Sequence, residues 1–125
     1  MVSFMKQYEG QTYALMRIFA GFLFLWHGSH KLLNYPTLEW TAGGYVKWVA
    51  GGIELVGGVL IMIGLFTAPA AFLASGLMAA AYWMSHGTNA FFPLLNGGEL
   101  AVLYCFVFLY ISSKGDGMWS VGGKR

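Results

Sequence analysis

Four apolar stretches of similar length dominate this sequence, and they limit what it can fold into. They run over about residues 13–33, 48–65, 68–86 and 96–112, each close to the roughly 20 residues that cross a bilayer core. Period-two alternation is absent, which disfavours a membrane β-barrel. Breakers separate the stretches: Asn34-Tyr35-Pro36, Pro69, the segment 87–93 and Gly115-Asp116-Gly117. Pro69 suits the first turn of the third helix, and Asn96-Gly-Gly-Glu99 has the spacing of a capping box. The expected fold is an all-α integral membrane four-helix bundle, one transmembrane domain over residues 1–125.

Composition supports this reading and excludes others. Hydrophobic residues make up 58% of the 125 and charged residues 10%, too few charges to clothe a soluble domain. Low polarity excludes a disordered chain. The single cysteine, Cys105, excludes a disulfide framework, a CxxC pair and a thiolate zinc cluster within one chain. The basic residues form no patch, so nucleic acid is not an expected partner. A signal peptide is disfavoured for the first stretch, which carries Arg17 and has no small-residue cleavage motif.

Four helices place both termini on one side. Lys6, Lys114, Lys124 and Arg125 lie there, against Lys31 and Lys47 on the other. The positive-inside rule then gives cytoplasmic termini. Trp26, Trp40, Tyr45, Trp48, Tyr82 and Trp83 gather near the opposite interface.

An ionisable residue in a membrane helix costs about 2.5–3.5 kcal/mol on insertion scales, so each needs a reason. The candidates are Arg17, His27, Lys31, Glu54, His86 and Glu99. At 100° per residue, Arg17, Gly21, Phe24, Gly28 and Lys31 share one face within about 40°, with His27 at its edge. Glu54 shares a face with Gly51, Gly57, Gly58 and Ile61, and Ala71, Ser75 and Ala79 form a small-residue ridge on the third helix. At 1.5 Å per residue, His27 and Glu54 each lie about 9 Å below the outer helix ends. An inner pair of His27 with Glu54 is therefore expected beneath an outer layer of Lys31, Glu99 and His86.

Each residue also has a plainer reading. Glu54 anchors a structural network with Arg17 or His27; Arg17 snorkels to the cytoplasmic interface; Glu99 caps its helix with Asn96. His30 and His86 sit at an interface, Cys105 packs, and the Gly-Gly pairs are helix contacts. Three sharper readings stand beside these. A quinone site needs an apolar cleft with a His and a carboxylate able to bond and protonate ring oxygens. A metal or haem site would draw on His27, His30 and His86 with Glu99, but His27 and His30 project about 60° apart on a helix, and neither haem nor metal is expected. Proton-coupled transport of a small solute would need the short bundle to oligomerise.

The chain resembles the DoxX family of small four-helix membrane proteins over nearly its whole length. The resemblance rests on Arg17-x3-Gly21, His27-Gly28-x2-Lys31-Leu32, Glu54-x2-Gly57-Gly58 and Gly64-Leu65. It continues through His86, Phe91-Phe92-Pro93, Asn96-Gly97-x-Glu99 and Gly115-x-Gly117-x2-Ser120. The family's tail often carries an acid after the serine, where this chain has Val121-Gly122-Gly123. The resemblance implies quinone-linked redox work, because some relatives look like membrane subunits of thiosulfate:quinone oxidoreductases or associate with sulfur-metabolism and superoxide-defence enzymes. The expected function is a quinone-linked redox membrane subunit with an intrabilayer pocket. His27 and Glu54 would handle protons; Lys31, Glu99 and His86 would orient the ligand; Arg17 would set the inner charge balance. Expected partners are the lipid bilayer, a redox enzyme subunit and a second copy of the chain. A non-catalytic scaffold for such an enzyme and a small-solute transporter are the alternatives.

Overall fold

A computed structural model describes residues 3–38, 43–85 and 91–123. All regular structure among them is helical. A 3-10 turn, Lys6–Tyr8, leads into α1 (Glu9–Leu33), and a π-helical run, Val46–Ala50, leads into α2 (Gly51–Ile63). There follow α3 (Thr67–Ser85), a four-residue α4 (Pro93–Asn96) and α5 (Glu99–Lys114).

The ends of these helices follow from local chemistry. α1 stops at Asn34, whose left-handed backbone (φ 55°) lets its N–H bond the His30 carbonyl. Asparagine is the residue that tolerates this best after glycine. α2 stops at Gly64 (φ 75°): the Gly64 N–H bonds Ile61 O and the Leu65 N–H bonds Leu60 O, the paired bonds of a Schellman motif. α3 begins three residues later, and Pro69 falls in its first turn, where a missing N–H is harmless. Gly97 takes a left-handed backbone (φ 79°) after α4, so the chain does not run from Asn96 straight into one helix. α5 starts afresh at Glu99 with Gly98 as its N-cap; the Asn96 side chain of the expected capping box lies outside what the structure describes.

Packing pairs the helices. α1 lies along α2 and α3 along α5, while α2 meets α3 less extensively. α1 meets α5 through long side chains and not at close backbone approach. Glycine lets the first pair approach to backbone contact. A Cβ on Gly28 would stand 2.5 Å from Gly51 O and closer still to Leu55 N, and one on Gly21 would stand 2.6 Å from Gly58 O. No side chain can yield there, because the obstructing atoms are main chain. The second pair is tied by Ser75 Oγ, which donates to Cys105 O at 2.8 Å. Phe24 bridges the pairs: its ring packs on Tyr104 and Phe108 with centroids 5.4 and 4.7 Å away. Around it lie Ile61, Ala71, Ala74 and Ile111.

The outward faces are as apolar as the core. Phe19, Leu23, Phe72, Leu73, Leu103 and Phe106 are each more than half exposed. Soluble proteins rarely expose contiguous apolar surface on this scale. Among the described residues one helical span, Val46–Ile63, is long and apolar enough to cross a membrane by length and composition. α1 is long enough at 25 residues but is broken by Arg17, His27, His30 and Lys31. α5, at 16 residues, reaches about 24 Å at 1.5 Å per residue.

Candidate functional site

The bundle carries its buried charges at its two ends, and the two clusters differ in kind. At the end holding the termini, Arg17 is fully buried. Its Nε donates to Ile61 O at 3.0 Å, Nη1 donates to Asp116 O at 2.7 Å and Met118 O at 2.8 Å, and Nη2 donates to Trp119 O at 2.8 Å. The tail after α5 therefore folds back as a strap whose carbonyls converge on one guanidinium. Val121 and Gly122 extend the strap by bonding Ile63 O and Gly64 O. The Asp116 carboxylate accepts the Thr67 N–H at the start of α3, and Tyr13 OH donates to Gly115 O at 2.6 Å. The snorkelling expected for Arg17 is corrected: its four carbonyl partners lie within the fold, and the strap covers it.

At the other end lies a cavity of about 590 Å³, within the range of small-molecule sites. Its polar lining residues are His27 and Lys31 from α1, Glu54 from α2 and Tyr104 from α5, with Tyr45, largely exposed, at its edge. Lys31 Nζ bonds Glu54 Oε1 at 2.6 Å, with side chains 12% and 4% exposed. His27 faces the Tyr104 ring edge to face at 5.9 Å. The remaining wall is apolar and small: Val46, Val49, Leu77, Met78, Ala80 and Ala81 among others. An ammonium, a carboxylate, an imidazole and a phenol thus meet at one wall of a greasy chamber. Such a set can donate to a ligand oxygen, accept from a hydroxyl and pass protons.

The expected residues divide cleanly. His27, Lys31 and Glu54 come together, but the close pair is Lys31 with Glu54 and not His27 with Glu54. Lys31 stands in the last turn of α1, and its long stem carries the charge to the Glu54 carboxylate. Arg17 does not line the cavity. Glu99 is exposed and faces the opposite side of α5, in a groove with Pro93, Val102 and Phe106. His86 lies outside the described residues. His30 is buried and its Nδ1 meets Pro36 O at 2.9 Å, on the loop after α1.

Two contributors escaped the sequence reading. Tyr104 looked like one more aromatic in α5; its only signal was a hydroxyl among phenylalanines. The π-helical run Val46–Ala50 supplies Val46, Val49 and Ala50 to the cavity wall. Such turns are rare and are frequent at functional sites, yet no residue pattern announces this one.

A sequence model of the DoxX family matches residues 12–87. The chain belongs to the DoxX family. The match takes in Arg17, His27, Lys31 and Glu54, while Tyr104 and the strap lie beyond it. This DoxX protein is also similar to a Haemophilus influenzae protein described as uncharacterized, 40% identical over 127 residues that cover 96% of this chain and 95% of the relative. No solved structure matches it.

Proposed function

We propose that this DoxX protein is a multi-pass protein of the bacterial inner membrane, with cytoplasmic termini, that binds a lipophilic redox ligand of the quinone class for a partner redox enzyme. The carrying observation is the Lys31–Glu54 pair, buried at one wall of an otherwise apolar chamber beside His27 and Tyr104. Two charges withdrawn from water are costly even when paired, and breaking the pair costs more. A bundle with only packing to achieve is served as well by hydrophobic residues.

The membrane part of the proposal draws support from the exposed Phe, Leu and Trp residues on α1, α3 and α5 and from the span Val46–Ile63. Small residues at the α1–α2 contact are what membrane helices use where lipid gives no hydrophobic incentive to associate.

The donor set and size of the chamber fit a quinone head. When bound, a quinone supplies two-electron, two-proton redox chemistry. Lys31 and Tyr104 are hydrogen-bond donors suited to ring oxygens. Glu54, freed from Lys31, and His27 are groups able to hold a proton and release it. Electrons must come from elsewhere, because the single cysteine gives the chain no dithiol; hence the partner.

Mass spectrometry of solvent extracts from the purified protein tests this reading. The expected result is a quinone in near-stoichiometric amount with the native chain, depleted in the double variant His27→Ala/Tyr104→Phe. A quinone content no higher than that of an unrelated four-helix membrane protein would refute it.

A further inference from the structure

We infer that the cavity is filled sideways, through the gap between α2 and α3, and that its ligand therefore carries a long hydrocarbon tail. The inference rests on the quinone-class reading and adds to it a doorway and a tail requirement.

α2 and α3 are joined by the tight turn 64–66 at the strap end of the bundle. The cavity lies at the far end of the bundle, between the π-helical run that leads into α2 and the second half of α3. Val46, Val49 and Ala50 stand on one side and Leu77, Ala80 and Ala81 on the other. Exposure then grades across it. Glu54, Met78 and Tyr104 are 3–7% exposed and form the floor, whereas Val49 is 55% and Met84 64% exposed at the rim. Lys31, Glu54 and Tyr104 lie innermost, while the exposed rim combines the hydrocarbon of Val49, Met84 and Leu100 with the His27 and Tyr45 side chains. A ligand entering head first would leave the Val49 and Met84 part of the rim for whatever follows the head.

The α3 side of the gap is partly lined by small residues. Phe72 and Trp83, both more than half exposed, stand elsewhere on the outward side of the helix, whereas Ala80 and Ala81 stand at the gap beside Leu77 and Met84. Opposite them the π-helical run takes in one residue more per turn than an α-helix, which offsets Val46 and Val49 from the face continued by Gly58 and Ile61. Small side chains on one jamb and a displaced turn on the other leave room for a chain of methylenes.

The probes are a benzoquinone with a decyl tail and the same ring with a methyl in its place, each titrated into the full chain in nanodiscs. Binding is read by quenching of tryptophan fluorescence. Ala80→Phe and Val49→Phe are expected to weaken the decyl form about tenfold or more by building a clash against the tail, and to weaken the methyl form several-fold less. Leu103→Phe, on the face of α5 turned away from the cavity, is expected to change neither. Equal weakening of both forms, no weakening of either, or the same loss from Leu103→Phe would overturn the doorway while the quinone-class reading stands. Native protein that binds neither ring would overturn both.

Discussion

Lys31 closes a 2.6 Å ion pair with Glu54 across the α1–α2 contact, and both side chains are almost wholly withdrawn from the surface. The pair sits where the two helices approach to backbone contact, with Gly28 against Gly51 and Leu55. It is thus held beside a main-chain contact of the two helices while facing the cavity. Removing one partner alone should cost about 3–5 kcal/mol, because the other charge is stranded. Thermal unfolding in detergent should therefore show Lys31→Met as much less stable than the native chain. The double variant Lys31→Met/Glu54→Leu should recover most of the loss, although its cavity no longer has the charged wall.

The glycines divide into those with room and those without. Gly28→Ala and Gly21→Ala drive a methyl into main-chain atoms of α2, and should each cost about 1–3 kcal/mol or more by overpacking. Gly52→Ala meets nothing within 4 Å and should stabilise the helix by up to about 1 kcal/mol, the difference in helix propensity. Melting temperatures of the three variants check the sign of each.

Arg17 belongs to the strap and not to the ligand chamber. Arg17→Lys should free the tail, since a single ammonium cannot fork across carbonyls of Ile61, Asp116, Met118 and Trp119. A loss of about 3 kcal/mol is expected from several charge-assisted bonds. Hydrogen exchange over residues 115–123 should rise sharply, and quinone affinity, where the protein still folds, should stay within about twofold. Affinity that falls in step with strap exchange would contradict the separation of the two ends.

Topology gives a prediction with a simple readout. In a Cys105→Ser background, Ser3→Cys should react with an impermeant maleimide only from the cytoplasmic side. Tyr35→Cys, exposed on the loop after α1, should react only from the opposite side. Labelling of both from one side would overturn the four-span arrangement.

The residues show unevenly how much a sequence exposes. Helix positions follow from apolar runs and from Asn34, Gly64 and Pro69, whose backbone preferences act locally. The packed face of α1 was legible in Gly21 and Gly28, because only helix contact explains glycine at that spacing. Pairing within the polar cluster was not. Helical angles place Cα atoms, but the Lys31 stem spans the distance that His27 was expected to cover. Arg17 was misread for another reason: its partners are backbone carbonyls of a glycine-rich tail, and carbonyls carry no sequence signature. Glu99 was drawn toward the cavity by depth alone, while the Gly97-Gly98 break turns α5 so that it faces outward.

Photoaffinity labelling with an azidoquinone, followed by peptide mapping, tests the central claim most directly. The account predicts that label concentrates on the peptides carrying His27–Lys31 and Tyr104, and that excess decyl-tailed benzoquinone removes it. Label spread over the exposed faces around Phe19, Phe72 and Phe106, or label that excess quinone does not displace, would contradict it.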